Sequence, residues 1–565
     1  MMEAGIVLAL ALGLGWPLGR YLAAVMAGGP MRGDALFLPI ERRLYAVLGT
    51  DPRQSMGWRT YAAAFLLSNL VLGVVVLLLF MTQGSLPLNP NGASNLRWDL
   101  ALHTMVSFLT NTNQQHYAGQ AQLSYLSQML GVVTLQMVTP MMGLAVLVAT
   151  LRGLTGMRGA GAQDVPVALG NYWADVIRPT LRFLMPLCLA FSVVLTSQGV
   201  PATFSGGPAA TPLDATAGMV EQTIPPGPVA PMVAVKQLGT NGGGWYGPNS
   251  TVALENPTPI SNLLETLAIV LIPVSLVFML GRFTGRPRFT LLVLGTMLTM
   301  SVASAGLAMW SETAPGASPT AAAMLAEGKE VRLGAPASAL WAALTTQTSN
   351  GSVNAMMDSV APLTGLVAIT NMLINAIWGG IGCGLQQFLV YLLLSVFLAG
   401  LMTGRTPELF GRRIEAPEVR LLAVLVLLQP LVLLGLTAAA LTIPGVAGTS
   451  NPGFHGVSQV FYEYVSAFAN NGSGMEGLAD GTPWWNLTAT LALMLGRYPA
   501  LLIPLAIAAM LAGKRAVPES VGSLRVETPT FALMVVAVIA ILTLLQFLPV
   551  LVLGPIAEHL TLSIH

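Results

Sequence analysis

The chain has 565 residues and a net charge of +1, with only 9% charged and 54% hydrophobic residues; a soluble domain carries about 25% charged residues. This excludes a water-soluble fold, and the near-zero net charge excludes a nucleic-acid binder driven by bulk positive charge. Two cysteines in apolar runs, Cys188 and Cys383, and five scattered histidines indicate neither a disulfide framework nor a zinc site.

A helix needs ~20 mostly apolar residues to cross a bilayer. In chain order such windows fall near 4–27, 60–82, 125–150, 175–196, 260–281, 289–310, 362–402, 419–442, 486–511 and 529–556. The first has no basic leader and no small-residue cleavage site, so it is expected to be a retained span. The window 362–402 is too long for one ordinary helix and is interrupted by Gly379-Gly380-Ile381-Gly382-Cys383-Gly384. Counting Lys and Arg resolves it. If that window is a single broken span, alternate connections hold 20 of the 25 basic residues, including Arg405, Arg412 and Arg413. Such asymmetry assigns the basic connections to the cytoplasm and both termini to the other side. The expected architecture is an all-α polytopic membrane protein with ten transmembrane helices. Irregular backbone at membrane depth must be buried in protein or line a wet cavity.

Four long connections on the sparsely charged side each carry a polar cluster after a short helix-like segment. They are Thr110-Asn111-Thr112-Asn113, Thr240-Asn241-Gly242-Gly243, Ser349-Asn350-Gly351-Ser352 and Asn470-Asn471-Gly472-Ser473. Aligned in this way, asparagine stands second each time, at intervals of 130, 109 and 121 residues. The repeated unit is span, re-entrant pore helix of about two turns, filter loop, span. The expected organisation is a first helix and its connection over 1–58, pore repeats over 59–160, 161–288, 289–415 (with the broken second helix) and 416–515, and a last helix over 516–565. Four such helices around one pore would aim their partial negative C-terminal ends at the centre and favour a cation. Small residues there let carbonyl oxygens replace the hydration shell of a potassium-like ion. The clusters contain no carboxylate, which argues against a calcium-type filter. A single such loop would read as an ordinary polar turn; four in register between spans do not.

Phe108-Leu-Thr-Asn-Thr-Asn-Gln-Gln, Lys236-Gln-Leu-Gly-Thr-Asn-Gly-Gly-Gly and Gly404-Arg-Thr-Pro-Glu resemble the potassium-transporting ATPase A subunit of the bacterial Kdp complex, and the resemblance extends over the whole chain. It implies a potassium-binding, channel-like subunit of a P-type pump in the bacterial inner membrane. The implied partners are a catalytic B subunit, a single-span C subunit and a small F peptide, with potassium as the bound ion and no organic cofactor. The family's filter glycines fall on Gly242, Gly351 and Gly472, with Thr112 in that place in the first repeat, and its filter-supporting glutamine falls on Gln115. Gln114 stands where the family often has Trp. The chain has no Asp-Lys-Thr-Gly phosphorylation motif and no Walker A sequence, so energy must come from a partner or a gradient. A gradient-driven Trk/Ktr-type uptake protein is the alternative; it has four similar units but usually lacks the two outer spans and the Gly-Arg-Thr-Pro-Glu stretch.

Three further features carry competing readings. Arg497, deep in its span, is either a fixed positive charge below the filter, or a member of a structural ion pair or a residue facing a partner subunit. The family implies a carboxylate partner for it where this chain has Asn375; Asn371 and Asn375 are expected to hydrogen-bond across the cavity. The break around Gly380 and Gly382 is either a gate or a glycine kink. Lys236, close to the second filter, either repels cations or reaches outside water, and the second is expected.

Overall fold

The computed structural model describes residues 2–156, 168–213, 218, 220–313, 328–329, 332–516 and 525–564. Among them, ten helices are long and apolar enough to cross a membrane: Met2–Ala27, Trp58–Ser85, Ser127–Thr155, Tyr172–Ser197, Pro259–Thr284, Pro287–Thr313, Cys383–Thr403, Ala416–Thr442, Pro483–Ala512 and Pro529–Thr561. Each coincides with one sequence window. Mean hydropathy places these helices in lipid, and their edges carry ordinary stop signals. Thr258 and Ser261 form a capping box ahead of Pro259, and the span ending at Thr403 stops on left-handed Gly404.

Burial separates the spans into two layers. The third, fifth, seventh and ninth are 56–83% buried, and all others 22–39%. The inner layer is therefore the second span of each repeated unit. The first span packs against the fifth, where Gly15 and Gly19 let the two backbones approach; a Cβ on Gly19 would strike the Ser275 carbonyl.

The pore helices are Trp98–Leu109, Val229–Leu238, Ala335–Gln347 and Phe454–Phe468. At 12, 10, 13 and 15 residues they make about three to four turns, longer than the two turns expected. They remain too short to span.

The long window is one broken span. Pro362–Ile374 ends on left-handed Asn375 (φ 47°), and helix resumes at Cys383. The break thus begins four residues before the glycine run and ends inside it. Trp378 and Gly379 donate their N–H groups to the Gln347 carbonyl at the end of the third pore helix. The irregular backbone is accordingly paired inside protein, as membrane depth requires.

Candidate functional site

All four pore helices end in the same way. The N–H groups of Thr110, Gly239, Thr348 and Ala469 bond to the carbonyls four residues back, of Val106, Val235, Leu344 and Val465. The next residue turns left-handed: Asn111 (φ 61°), Thr240 (49°), Ser349 (49°) and Asn470 (53°). The following N–H, of Thr112, Asn241, Asn350 and Asn471, folds back onto the carbonyl of Ser107, Lys236, Thr345 and Ser466. A second left-handed residue then stands at Asn113, Gly242, Gly351 and Gly472 (φ 57°, 65°, 87° and 98°). This corrects the alignment of the first cluster by one residue. Thr112 is equivalent to the three asparagines, and Asn113, not Thr112, stands in the glycine place. Equivalent residues of the first two loops are accordingly 129 positions apart, and two such pairs are joined by hydrogen bonds.

The loops close into a ring. A Cβ on Gly242 would collide with the Asn350 carbonyl oxygen, one on Gly351 with that of Asn471, and one on Gly472 with that of Thr112. Glycine is required at these places both by the backbone angle and by the neighbour's approach. The remaining seam joins loops one and two. Asn111 Nδ2 donates to the Thr240 carbonyl at 3.2 Å, Asn113 Nδ2 to that of Gly242 at 2.9 Å, and Asn241 Nδ2 to Asn111 Oδ1 at 2.8 Å. Gly243 packs on Asn113. Gln115 spans the same seam twice, donating to the Gly244 carbonyl at 3.0 Å and accepting from its N–H at 2.8 Å. That reciprocal pair fits the supporting role expected of Gln115.

The carbonyl oxygens of the ring are distinguished by what does not reach them. Thr112, Asn241, Asn350 and Asn471 are all fully buried. Among the described residues no N–H or O–H donor bonds to the carbonyl of any of the four. Buried carbonyls are ordinarily paired, so four equivalent unpaired ones in adjoining loops are chemically suited to a weakly hydrated cation. The side chains do other work. Asn350 Nδ2 donates to the Lys236 carbonyl at 3.0 Å and Asn471 Nδ2 to that of Thr345 at 2.8 Å, bracing each loop to the preceding pore helix. Thr110 Oγ1 lies 2.8 Å from Thr112 Oγ1 behind the first loop.

Beneath the ring sits the broken span. Ser349 Oγ donates to Asn375 Oδ1 at 2.6 Å, Asn375 Nδ2 donates to the Ala469 carbonyl at 3.1 Å, and Thr240 Oγ1 accepts from the Ile381 N–H at 3.0 Å. Gly380 faces Ser349 and Thr240, while Gly382 abuts the backbone of Gly143 on the third span. Asn375 and Gly380 therefore touch the filter loops directly. Asn371 does not face a cavity: it accepts from Ser304 Oγ at 2.6 Å and donates to Thr346 Oγ1 at 3.0 Å, inside the wall behind the third pore helix. Arg497 is 2% exposed and forms no ion pair or hydrogen bond among the described residues; its Nη1 is buried without a partner. It lies beside Gly143, where an added Cβ would come within 2.9 Å of Nη2. Asn375 is not its partner. Among the described residues no carboxylate pairs with Arg497.

Lys236 does not reach outside water. It is fully buried, ion-paired with Glu255, and donates to Ser250 Oγ at 2.8 Å. Its position in a pore helix one turn from the filter left no room for the stem to snorkel. Two other residues escaped the sequence reading. Gln136 donates to the Gly242 carbonyl at 3.1 Å, and Glu463, the carboxylate of the fourth pore helix, bonds to the Gln114 side chain. A polar residue within an apolar segment was the available signal for both.

A family profile for the potassium-transporting ATPase A subunit matches residues 5–560. The protein of Gloeobacter violaceus described as potassium-transporting ATPase potassium-binding subunit is 46% identical, over 96% of this chain and 94% of its own. Proteins of the same description from Pseudomonas aeruginosa (46%, over 97% and 96%) and Alicyclobacillus acidocaldarius (43%, over 99% and 98%) are similar throughout. Among solved structures, the potassium transporter TrkH of Vibrio parahaemolyticus shares the fold, with a TM-score of 0.52 and 14% identity over 89% of this chain and 97% of that one. The span pattern, the closed ring of four loops and the similarity along the full length agree: the chain belongs to the potassium-transporting ATPase A subunit family.

Proposed function

We propose that this chain binds potassium in the ring of filter loops and delivers it within an ATP-driven importer whose ATP-hydrolysing step belongs to a partner. The observation that carries this reading is the set of four equivalent, buried, donorless carbonyls of Thr112, Asn241, Asn350 and Asn471. Asn111, Thr240, Ser349 and Asn470 line the next level, and Asn113, Gly242, Gly351 and Gly472 shape the opposite one. Arg497 below the ring supplies a fixed positive charge at the point where a cation would otherwise continue straight through, and the Asn375–Gly382 segment forms the floor that must yield or divert the ion. A charge at that depth is costly, and intramembrane charges accordingly mark ion pathways by default.

The description shared by the relatives, a subunit of a potassium-transporting ATPase, supports assembly with an ATP-hydrolysing partner; a single-span subunit and a small peptide subunit rest on the family resemblance. The distribution of Lys and Arg supports an inner-membrane protein with extracytoplasmic termini and filter. The fold shared with TrkH is compatible with transport by the chain alone, so purification separates the two cases. Co-elution with a phosphorylatable P-type subunit, and no uptake by vesicles holding this chain alone, is the expected result.

The filter itself is tested on purified full-length protein by titration with potassium and sodium. Gly242→Asp places a charged side chain against the Asn350 carbonyl, and it should weaken potassium binding about tenfold or more, or erase the preference over sodium. Potassium affinity and selectivity equal to the parent would remove Gly242, and with it the ring, from the ion path.

A further inference from the structure

The seam between the fourth and first loops is built differently from the others, and its chemistry singles out His116. A buried relay runs through it. Arg97 pairs with Asp99 at 2.9 Å. Asn486 Nδ2 donates to Asp99 Oδ2 at 2.9 Å, and Asn486 Oδ1 lies 2.8 Å from His116 Nδ1. His116 Nε2 lies 3.2 Å from Glu463 Oε1, the oxygen that also accepts from Gln114 Nε2. Asp99, Asn486, His116, Glu463 and Gln114 are each at most 4% exposed.

The relay fixes a proton. Asp99 is ion-paired with Arg97, so Asn486 turns its amide nitrogen to Asp99 and its oxygen to His116. An oxygen there requires a proton on Nδ1. A neutral imidazole with its proton on Nδ1 would then aim the Nε2 lone pair at the Glu463 carboxylate, setting two buried acceptors 3.2 Å apart against each other. Only a second proton or a metal cation between Nε2 and Glu463 resolves it. The other charged and titratable groups facing His116 are Asp480, a carboxylate oxygen of which lies within 4.8 Å of a His116 ring nitrogen and of Glu463, and His103, whose ring stacks on that of His116 at 3.8 Å. Both acids favour a cation at His116. His103 is itself held neutral by burial, its basicity well below the ordinary histidine value, so the stacked pair carries one charge. Burial alone would lower the basicity of His116, but Asp480, Glu463 and Asn486 outweigh it and leave the net direction upward.

We propose that His116 is a positioning residue of the filter: as an imidazolium ion-paired with Glu463 it fastens the fourth pore helix to the first loop, so that potassium binding depends on external pH. The consequence rests on the filter reading above. Gln114, gripped by Glu463, directly follows Asn113, and its backbone N–H lies against Gly472. Loosening Glu463 therefore frees both loops that meet at this seam. The sign is fixed by the upward shift. The fastening is complete below the ordinary histidine pKa of about 6.5 and is lost as pH rises through the higher folded-state value.

The test uses full-length protein in detergent, titrated with potassium between pH 6 and pH 9.5. Affinity should fall about tenfold across the range, the lower end for a hydrogen bond to a charged group. His116→Gln should bind weakly at every pH with a flat profile, and Glu463→Gln should move the midpoint toward acid, because the imidazolium loses its partner. A flat wild-type profile, or an unchanged slope in His116→Gln, overturns the proposal. So does a profile that EDTA abolishes, which would place a divalent cation where the proton is assigned. Melting temperature against pH is read in parallel on the same samples. If no potassium binds at any pH, the filter reading fails, while a pH-dependent melting temperature that His116→Gln flattens still reports the His116–Glu463 pair.

Discussion

Two kinds of seam hold the ring together. Between loops two and three, and between loops three and four, an asparagine side chain reaches back to the preceding pore helix: Asn350 to the Lys236 carbonyl and Asn471 to that of Thr345. Between loops four and one the equivalent residue is Thr112. Its side chain is too short to reach the Ser466 carbonyl and turns to Thr110 instead. There the contact is made by Gln114, Glu463 and His116. Neutral braces impose geometry with little sensitivity to conditions. A charged brace is stronger in a dry site but depends on the protonation of its members. Fourfold appearance thus conceals one seam closed by buried charged groups, at the place where the sequence departs from its own repeat.

The largest effect is expected where a neutral brace leans on a buried charge. The carbonyl that Asn350 grips belongs to Lys236, whose ammonium group is buried against Glu255. Glu255 also accepts from the Tyr246 N–H at 3.0 Å, tying the chain beyond the second filter. Glu255→Gln strands the ammonium and should cost about 3–5 kcal/mol, read as a large loss of monodisperse protein or of melting temperature. Replacing the pair together with Lys236→Met and Glu255→Leu should restore much of it. If the single and double variants are equally damaged, the pair is not what fixes the second pore helix.

A smaller effect tests the asymmetry itself. Asn471→Ala removes a donor from the Thr345 carbonyl and also two acceptor contacts that Asn471 Oδ1 gives the Ser473 N–H and hydroxyl. It should cost about 1–3 kcal/mol and weaken potassium binding. Thr112→Ala loses only the bond to Thr110 and should cost about 1 kcal/mol or less. Equal losses in the two variants would mean that the seams do not differ as described.

The spans and the existence of four filter loops were legible because both depend on composition over a window: apolar length for the spans, and clustered Asn, Gly, Ser and Thr for the loops. The register of the first loop was not. Asparagine adopts the left-handed region more readily than other non-glycine residues, so Asn113 occupies a glycine place while Asn111 occupies a place held by Thr240 and Ser349. Lining up asparagines by identity therefore slipped the loop by one. Lys236 was misjudged for a different reason. A lone lysine near a membrane surface usually snorkels, and its partner Glu255 stands 19 residues away across a turn, a pairing with no local signature. Asn371 and Asn375 share one helix end, and only the break at Asn375 decides that one meets the filter and the other the wall.

The smallest effect expected lies at the outer edge of the seam between loops three and four, where a charged clamp accompanies the Asn471 brace. His455, at the start of the fourth pore helix, lies 2.8 Å from Asp358 and 2.7 Å from Glu558 of the C-terminal helix. Hydrogen bonds to Asp358 and then Glu558 push its pKa up to about 10 against an opposing desolvation. Because the folded-state value is raised, the clamp is fully present below pH 6.5 and is lost as pH climbs to about 10. This site is partly open to solvent and the asparagine brace persists underneath it, so the loss should lower the melting temperature by only about 1–2 °C. His455→Gln should show that deficit at pH 6 and converge with the parent above pH 10. Convergence already at pH 8 would mean that one of the two carboxylates does not face the ring. A deficit as large as that of His116→Gln would mean that the outer clamp, rather than the buried relay, carries the charge-dependent part of the ring's stability.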